Sequence, residues 1–131
     1  ILIKITISNI SKRPLYQQIR DKIKYKIFCG ELKAGENLPS IRVLANNLNV
    51  SVLTIKKAYA ELYNEGFIIT RSGKGTFVAS MNFELIKKSK SRIVEIELEE
   101  VWKNACLLGI CKNEVLDIMN LIFEKSSKKL T

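Results

Sequence analysis

The sequence predicts a mainly α-helical chain with one small β-hairpin, and three observations carry that expectation. Apolar residues recur at helical spacing in five separate stretches. Ser, Pro and Gly stand where those stretches begin and end. One pair of short runs flanks the turn Ser72-Gly73-Lys74-Gly75, a hairpin signal. At 131 residues and 47% apolar content the chain suits a globular fold rather than disorder. No apolar run approaches the ~18 residues needed to span a bilayer.

Residues 1–9 alternate apolar and polar and are rich in Ile, which predicts a short strand or extended arm. Ser11 and Pro14 then open a helix, Pro being tolerated in a first turn whose N–H groups are unpaired anyway. Leu15, Ile19, Ile23 and Ile27 repeat every four residues as its buried face, and Gly30, free to turn left-handed, stops it. Residues 31–39 read as a loop. Ser40 caps a second helix over 41–48, with Ile41, Leu44, Ala45 and Leu48 inward. After a tight Asn49-Val50 turn, Ser51 caps a third helix running to about Glu65, with Ile55, Ala58, Tyr59 and Leu62 buried and Gly66 as its end. Two β segments follow, 67–71 and 76–79. Three helices and then a hairpin, with a short second helix and a tight turn before the third, predict a winged helix-turn-helix over residues 1–79.

Residues 80–131 change character. From Asn82 no glycine interrupts until Gly109, and Val94, Leu98, Val101, Ala105 and Leu108 recur at helical spacing with Trp102 beside them. A last helix over about 113–125 turns Val115, Ile118, Met119 and Ile122 inward. Leu116, Leu121 and Phe123 leave it apolar on further faces, so two helices alone cannot bury this surface and a partner is implied. The polar tail, 126–131, is expected to fray.

Charge is divided unevenly. Residues 1–78 hold 13 Lys and Arg against 5 Asp and Glu, a net +8, whereas residues 79–131 hold 9 against 8, a net +1. A compact basic unit beside a near-neutral one points to a polyanion-binding module joined to something else. Histidine is absent, and the cysteines number three, Cys29, Cys106 and Cys111, with no C-x-x-C pair. That composition argues against a zinc finger, a Cys–His nucleophile and a Ser–His–Asp triad. The thiols are expected to be buried, with a redox role for Cys106 and Cys111 as the lesser alternative. No metal, cofactor or catalytic residue is expected, and with no signal sequence recognisable the chain is read as cytoplasmic.

In a helix-turn-helix the recognition helix enters the major groove with its first turns nearest the bases. That selects Ser51, Val52, Leu53, Thr54, Lys56 and Lys57. The hydroxyls can bond phosphates or bases, the lysines can meet phosphates or guanine acceptors, and apolar Val52 and Leu53 can pack on thymine methyl groups. Arg42, in the first turn of the second helix, adds a bidentate donor for phosphate; its alternative is a surface ion pair with Glu36. In the hairpin, Arg71, Ser72, Gly73 and Lys74 can reach a phosphate or the minor groove. A nucleotide-binding loop is disfavoured, because Gly73-Lys74-Gly75-Thr76 leads into a strand rather than a helix.

These residues also carry a resemblance. Pro14-Leu15-Tyr16-Gln17-Gln18-Ile19, Gly30-Glu31-Leu32, the run from Ala34 to Ala45 with its Leu38-Pro39-Ser40-x-Arg42-x-Leu44-Ala45 core, Val50-Ser51 to Tyr59, and Gly73-Lys74-Gly75-Thr76-Phe77-Val78 resemble the N-terminal domain of GntR-family regulators. The match covers residues 12–79 nearly without gaps. The resemblance implies DNA contacts from Arg42, Ser51, Thr54, Lys56, Ser72 and Gly73. One departure is Val52, where many members place an Arg able to read guanine. The short remainder resembles the YtrA-like branch, whose tail serves dimerisation and whose members often repress neighbouring ABC-transporter genes. On that footing residues 80–131 form a two-helix dimerisation segment using Val94, Leu98, Val101, Trp102, Ala105, Ile118 and Ile122. The expected partners are double-stranded DNA and a second copy of the chain, with no membrane. A small apolar effector between the paired helices, with Trp102 as a wall, stands against Trp102 as plain core or interface. The resulting reading is a homodimeric repressor on an inverted-repeat operator. Its rivals are a nonspecific architectural DNA binder and a protein-interaction adaptor; an enzyme is disfavoured.

Overall fold

The computed structural model describes residues 3–8 and 12–130, the side chains of 128–130 excepted; Ser11, and the outermost residues of the expected N-terminal strand, lie outside the described residues. The chain divides into two units, Ile1–Lys90 and Ser91–Thr131, and each is treated by itself.

In the first unit, residues 3–8 form no strand. They run as an arm in which Ile3 is buried and Ile5 and Ile7 pack on the core, while the residues between face solvent. The amide of Gln18 holds the arm in place of a neighbouring strand: Ser8 N–H donates to its Oε1 at 2.8 Å, and its Nε2 donates to the carbonyls of Ser8 at 3.0 Å and Arg13 at 2.9 Å. Helix α1 is Leu15–Phe28. Pro14 precedes it as the capping residue in extended conformation rather than sitting inside its first turn, and the Pro14 carbonyl accepts from the N–H groups of Gln17 and Gln18. Ile19 and Ile23 are fully buried, as their four-residue spacing requires.

Helix α2, Ile41–Leu48, and helix α3, Val52–Asn64, both start where sequence placed them. Ser40 Oγ accepts from Val43 N–H at 3.2 Å, and Ser51 Oγ accepts from Thr54 N–H at 3.1 Å, each quenching one unpaired donor of a first turn. Leu44, Ile55 and Leu62 meet Ile19, Ile23 and Phe67 in one core in which these side chains are completely enclosed. Each such side chain contributes about 1.5–3 kcal/mol of burial free energy.

Ion pairs set α1 against α3. Arg20 reaches Glu61 at 2.5 Å and Lys24 reaches Glu65 at 2.9 Å, one helical turn apart on both helices. Asp21, itself buried, accepts from Arg13 and Arg20. Burial alone would lower the Arg20 pKa, but its bonds to Asp21 and Glu61 outweigh that cost and hold it above its ordinary value.

Three strands close the unit: β1 (Asn37–Leu38), β2 (Ile68–Arg71) and β3 (Gly75–Val78), antiparallel in the order β1-β3-β2. β1 lies inside the segment expected to be loop. Two residues carry no periodicity of their own; they are a strand because Asn37 faces Phe77 and Leu38 faces Thr76. Bonds from Gly35 N–H to the Val78 carbonyl, at 2.8 Å, and from Val78 N–H to the Glu36 carbonyl, at 2.9 Å, extend that pairing.

Helix α4, Phe83–Leu107, begins behind Asn82, whose side chain accepts from Leu85 N–H at 2.8 Å. It runs into the second unit, where Ile110 N–H returns to the Ala105 carbonyl and Gly109 N–H to the Cys106 carbonyl to close its end. Helix α5 is Lys112–Leu130 and continues through the segment expected to fray, leaving only Thr131 outside the described residues. All three cysteines are exposed, against the expectation of buried thiols. Cys29 follows the last turn of α1, and Cys106 and Cys111 flank the turn between α4 and α5, positions no core reaches.

Candidate DNA-binding surface

Three elements of the first unit bring the sequence-selected residues together: the start of α2, the first two turns of α3 and the β2–β3 turn. What fixes the first two is a bond inside the core. Tyr59, buried on α3, donates its hydroxyl to the Pro39 carbonyl at 2.7 Å, so the residue before the α2 cap is tied to α3. Burial pushes the Tyr59 hydroxyl well above its ordinary pKa, so it remains a donor.

At the head of α3, Ser51 and Thr54 are joined hydroxyl to hydroxyl at 2.7 Å while Ser51 caps the helix. Only one of the two hydroxyl hydrogens is therefore left to point outward, although both oxygens keep acceptor capacity. Val52 and Leu53 project from the first turn 44% and 73% exposed, with no core to justify them. The two lysines diverge. The Lys57 ammonium stands 4.0 Å from the centre of the Tyr16 ring on α1, whereas Lys56 lines a cleft on the side of the wing.

At the wing tip the Lys74 N–H bonds the Arg71 carbonyl at 2.9 Å, and Gly73 takes the left-handed conformation, φ 75°, that the turn demands. The Arg71 guanidinium lies 5.4 Å from the Phe77 ring centre, steadied without being neutralised. Ser72, Gly73 and Lys74 are exposed.

Charge separates across the unit. Arg13, Arg20, Lys24 and Lys26 on or beside α1 are paired with carboxylates. Among the described residues no ion pair engages Arg42, Lys56, Lys57, Arg71 or Lys74, and the alternative pairing of Arg42 with Glu36 is not formed. Cations left without carboxylates on three adjoining elements make a surface that attracts a polyanion. The cleft beside Lys56, lined also by Tyr63, Asn64, Thr70 and Thr76, escaped the sequence reading. Its only local signal is the change from Ile68 to Thr70 along one strand face.

In the second unit the residues expected to face inward are mostly uncovered. Val94, Leu98, Val101, Trp102, Ile118 and Ile122 are 45–53% exposed, Val115 and Met119 are half-buried, and Ala105 alone of the expected dimerisation set is buried. No group of metal ligands occurs among the described residues.

Residues 15–78 match the model of the family described as "Bacterial regulatory proteins, gntR family". The chain is 36% identical over 107 residues to YhcF of Bacillus subtilis (strain 168), an uncharacterized HTH-type transcriptional regulator, covering 82% of this chain and 88% of that protein. It is 32% identical over 100 residues to the HTH-type transcriptional repressor YtrA of the same organism, covering 76% of this chain and 77% of that protein. A solved GntR family transcriptional regulator from Listeria monocytogenes superposes with a TM-score of 0.65 at 31% identity, covering 83% of this chain and 95% of that one.

Proposed function

This chain belongs to the gntR family of bacterial regulatory proteins, and on that footing we propose that it represses transcription as a homodimer seated on an inverted-repeat operator. Membership makes it a DNA-binding transcription regulator and not an enzyme. The observation that carries the DNA-binding surface is a set of cations that have no carboxylate partner among the described residues, Arg42, Lys56, Lys57, Arg71 and Lys74, shared by α2, α3 and the wing.

In this reading residues 1–79 grip DNA and residues 80–131 pair two chains. Helix α3 enters the major groove, where Ser51, Thr54, Val52 and Leu53 meet base edges and Lys57 a phosphate. Arg42 holds phosphate at the start of α2, and Arg71, Ser72, Gly73 and Lys74 approach the adjacent minor groove. The half-exposed apolar stripes of α4 and α5 support pairing, since such surface seldom stays in water. Two recognition helices then face half-sites about one helical turn, ~34 Å, apart. No helix among the described residues is long and apolar enough to cross a membrane, and the regulator is read as cytoplasmic. Transporter genes near its own are the first targets to examine.

Fluorescence anisotropy tests the proposal, using the duplex upstream of the chain's own gene against a scrambled duplex at two salt concentrations. Preference for the upstream duplex, with affinity falling as salt rises, is the expected result. Equal, salt-sensitive binding to both would favour an architectural binder. No binding to either at low salt would favour a protein-interaction adaptor.

A further inference from the structure

One face of the β2–β3 hairpin changes chemistry along its length. Ile68 and Val78 pair across the strands and are buried; two residues nearer the turn, on the same face, Thr70 pairs with Thr76 and both reach solvent. With Lys56, Tyr63 and Asn64 of α3 the threonines line a cleft of about 370 Å³. Tyr59 also borders it, but its hydroxyl is committed to Pro39. Every other polar side chain there offers a donor: an ammonium, a carboxamide and three hydroxyls. No Asp or Glu lines the cleft, and none of these five side chains is engaged in a hydrogen bond or ion pair among the described residues. Beside the apolar Ile41, Ala60 and Ile68, these unused donors with no carboxylate among them can receive an anion.

Duplex geometry supplies that anion. A helix in the major groove and a turn in the neighbouring minor groove are separated by one sugar–phosphate strand, which must cross the protein between the two elements. We propose that this strand lies in the cleft between α3 and the wing, its phosphates held by the Lys56 ammonium and the hydroxyls of Thr70 and Thr76, with Tyr63 farther along. The proposal rests on the DNA-binding reading above, and it assigns Lys56 to phosphate rather than to guanine. Phosphates are alike in every sequence, so the cleft sets how the protein sits on the duplex and not which bases it prefers.

A phosphate contact needs no operator, so the test uses the full chain and a short labelled duplex of arbitrary sequence at low salt. Lys56→Ala should flatten the slope of log affinity against log salt by about 0.9. The double variant Thr70→Val, Thr76→Val keeps the branched shape of both side chains and should weaken binding about 3- to 10-fold with the slope unchanged. Thr70→Glu should weaken it well over tenfold, on the order of like charges brought together, and far more than Thr6→Glu, which makes the same change of charge on the N-terminal arm. Unchanged thermal unfolding of each variant ensures that binding alone is compared. The cleft assignment is overturned if the double variant stays within about twofold of wild type or if Thr70→Glu matches Thr6→Glu. If the unaltered chain fails to bind the duplex, the DNA-binding reading fails first and takes the cleft with it.

Discussion

Tyr59 and Pro39 stand twenty residues apart and share a hydrogen bond of 2.7 Å inside the core. Through it α3 dictates where α2 begins, because Pro39 precedes the Ser40 cap and Arg42 lies in the turn that follows. Tyr59→Phe leaves the Pro39 carbonyl buried without that donor and should cost about 1–3 kcal/mol in urea unfolding. It should also weaken DNA binding without touching DNA, since Arg42 loses its fixed origin. Full stability in the variant would mean that packing alone places α2.

The same hydroxyl predicts a response to alkali. Burial raises its pKa above the ordinary 10.0, so ionising it favours the unfolded chain. Its contribution is complete below pH 10 and is lost progressively as pH rises toward the folded value. Melting temperatures taken from pH 8 to pH 11 should fall more steeply for wild type than for Tyr59→Phe; parallel curves would rule out Tyr59 as the titrating group.

Leu53 is 73% exposed at the head of the recognition helix, so Leu53→Ala should change stability by no more than about 0.5 kcal/mol. If Val52 and Leu53 pack on thymine methyl groups, replacing the contacted thymines by uracil in sites enriched from a random duplex pool should cost about 0.8 kcal/mol per methyl. That cost should shrink in the Leu53→Ala chain, which keeps only the Val52 contact. Uracil-insensitive binding by wild type would remove the apolar contact from the mechanism.

Arg42→Ala should weaken operator binding by about 1–3 kcal/mol. Because Arg42 has no carboxylate partner among the described residues, unfolding should be nearly unaffected, which separates a binding role from a structural one.

Ile122→Glu places a charge in the half-exposed apolar stripe of α5. Sedimentation should show the wild type as a dimer and the variant as a monomer, with affinity for an inverted repeat falling toward that for one half-site. A variant that remains dimeric would move the interface elsewhere.

Local chemistry explains which features were legible in the sequence. Ser40 and Ser51 cap their helices through side-chain bonds that span three residues, and the buried faces of α2 and α3 repeat at helical spacing; both signals live within a few residues. The β1 strand was illegible because its partners, Phe77 and Thr76, lie about forty positions away. Lys56 was marked by its place on α3, but Tyr63, Thr70 and Thr76 become one surface only when the hairpin folds beside the helix. The cysteines misled because a small apolar side chain suits a core, yet all three fall at helix ends where no core is available.

The amide of Gln18 offers the N-terminal arm what a neighbouring peptide group would, one acceptor and one donor, both spent on Ser8. The Ser8 amide proton is thus sequestered in a stretch with neither helix nor sheet. In deuterated water it should exchange slowly for its surroundings, and its rate becomes a direct gauge of how often the arm lifts away and lays the isoleucines beneath it open to solvent.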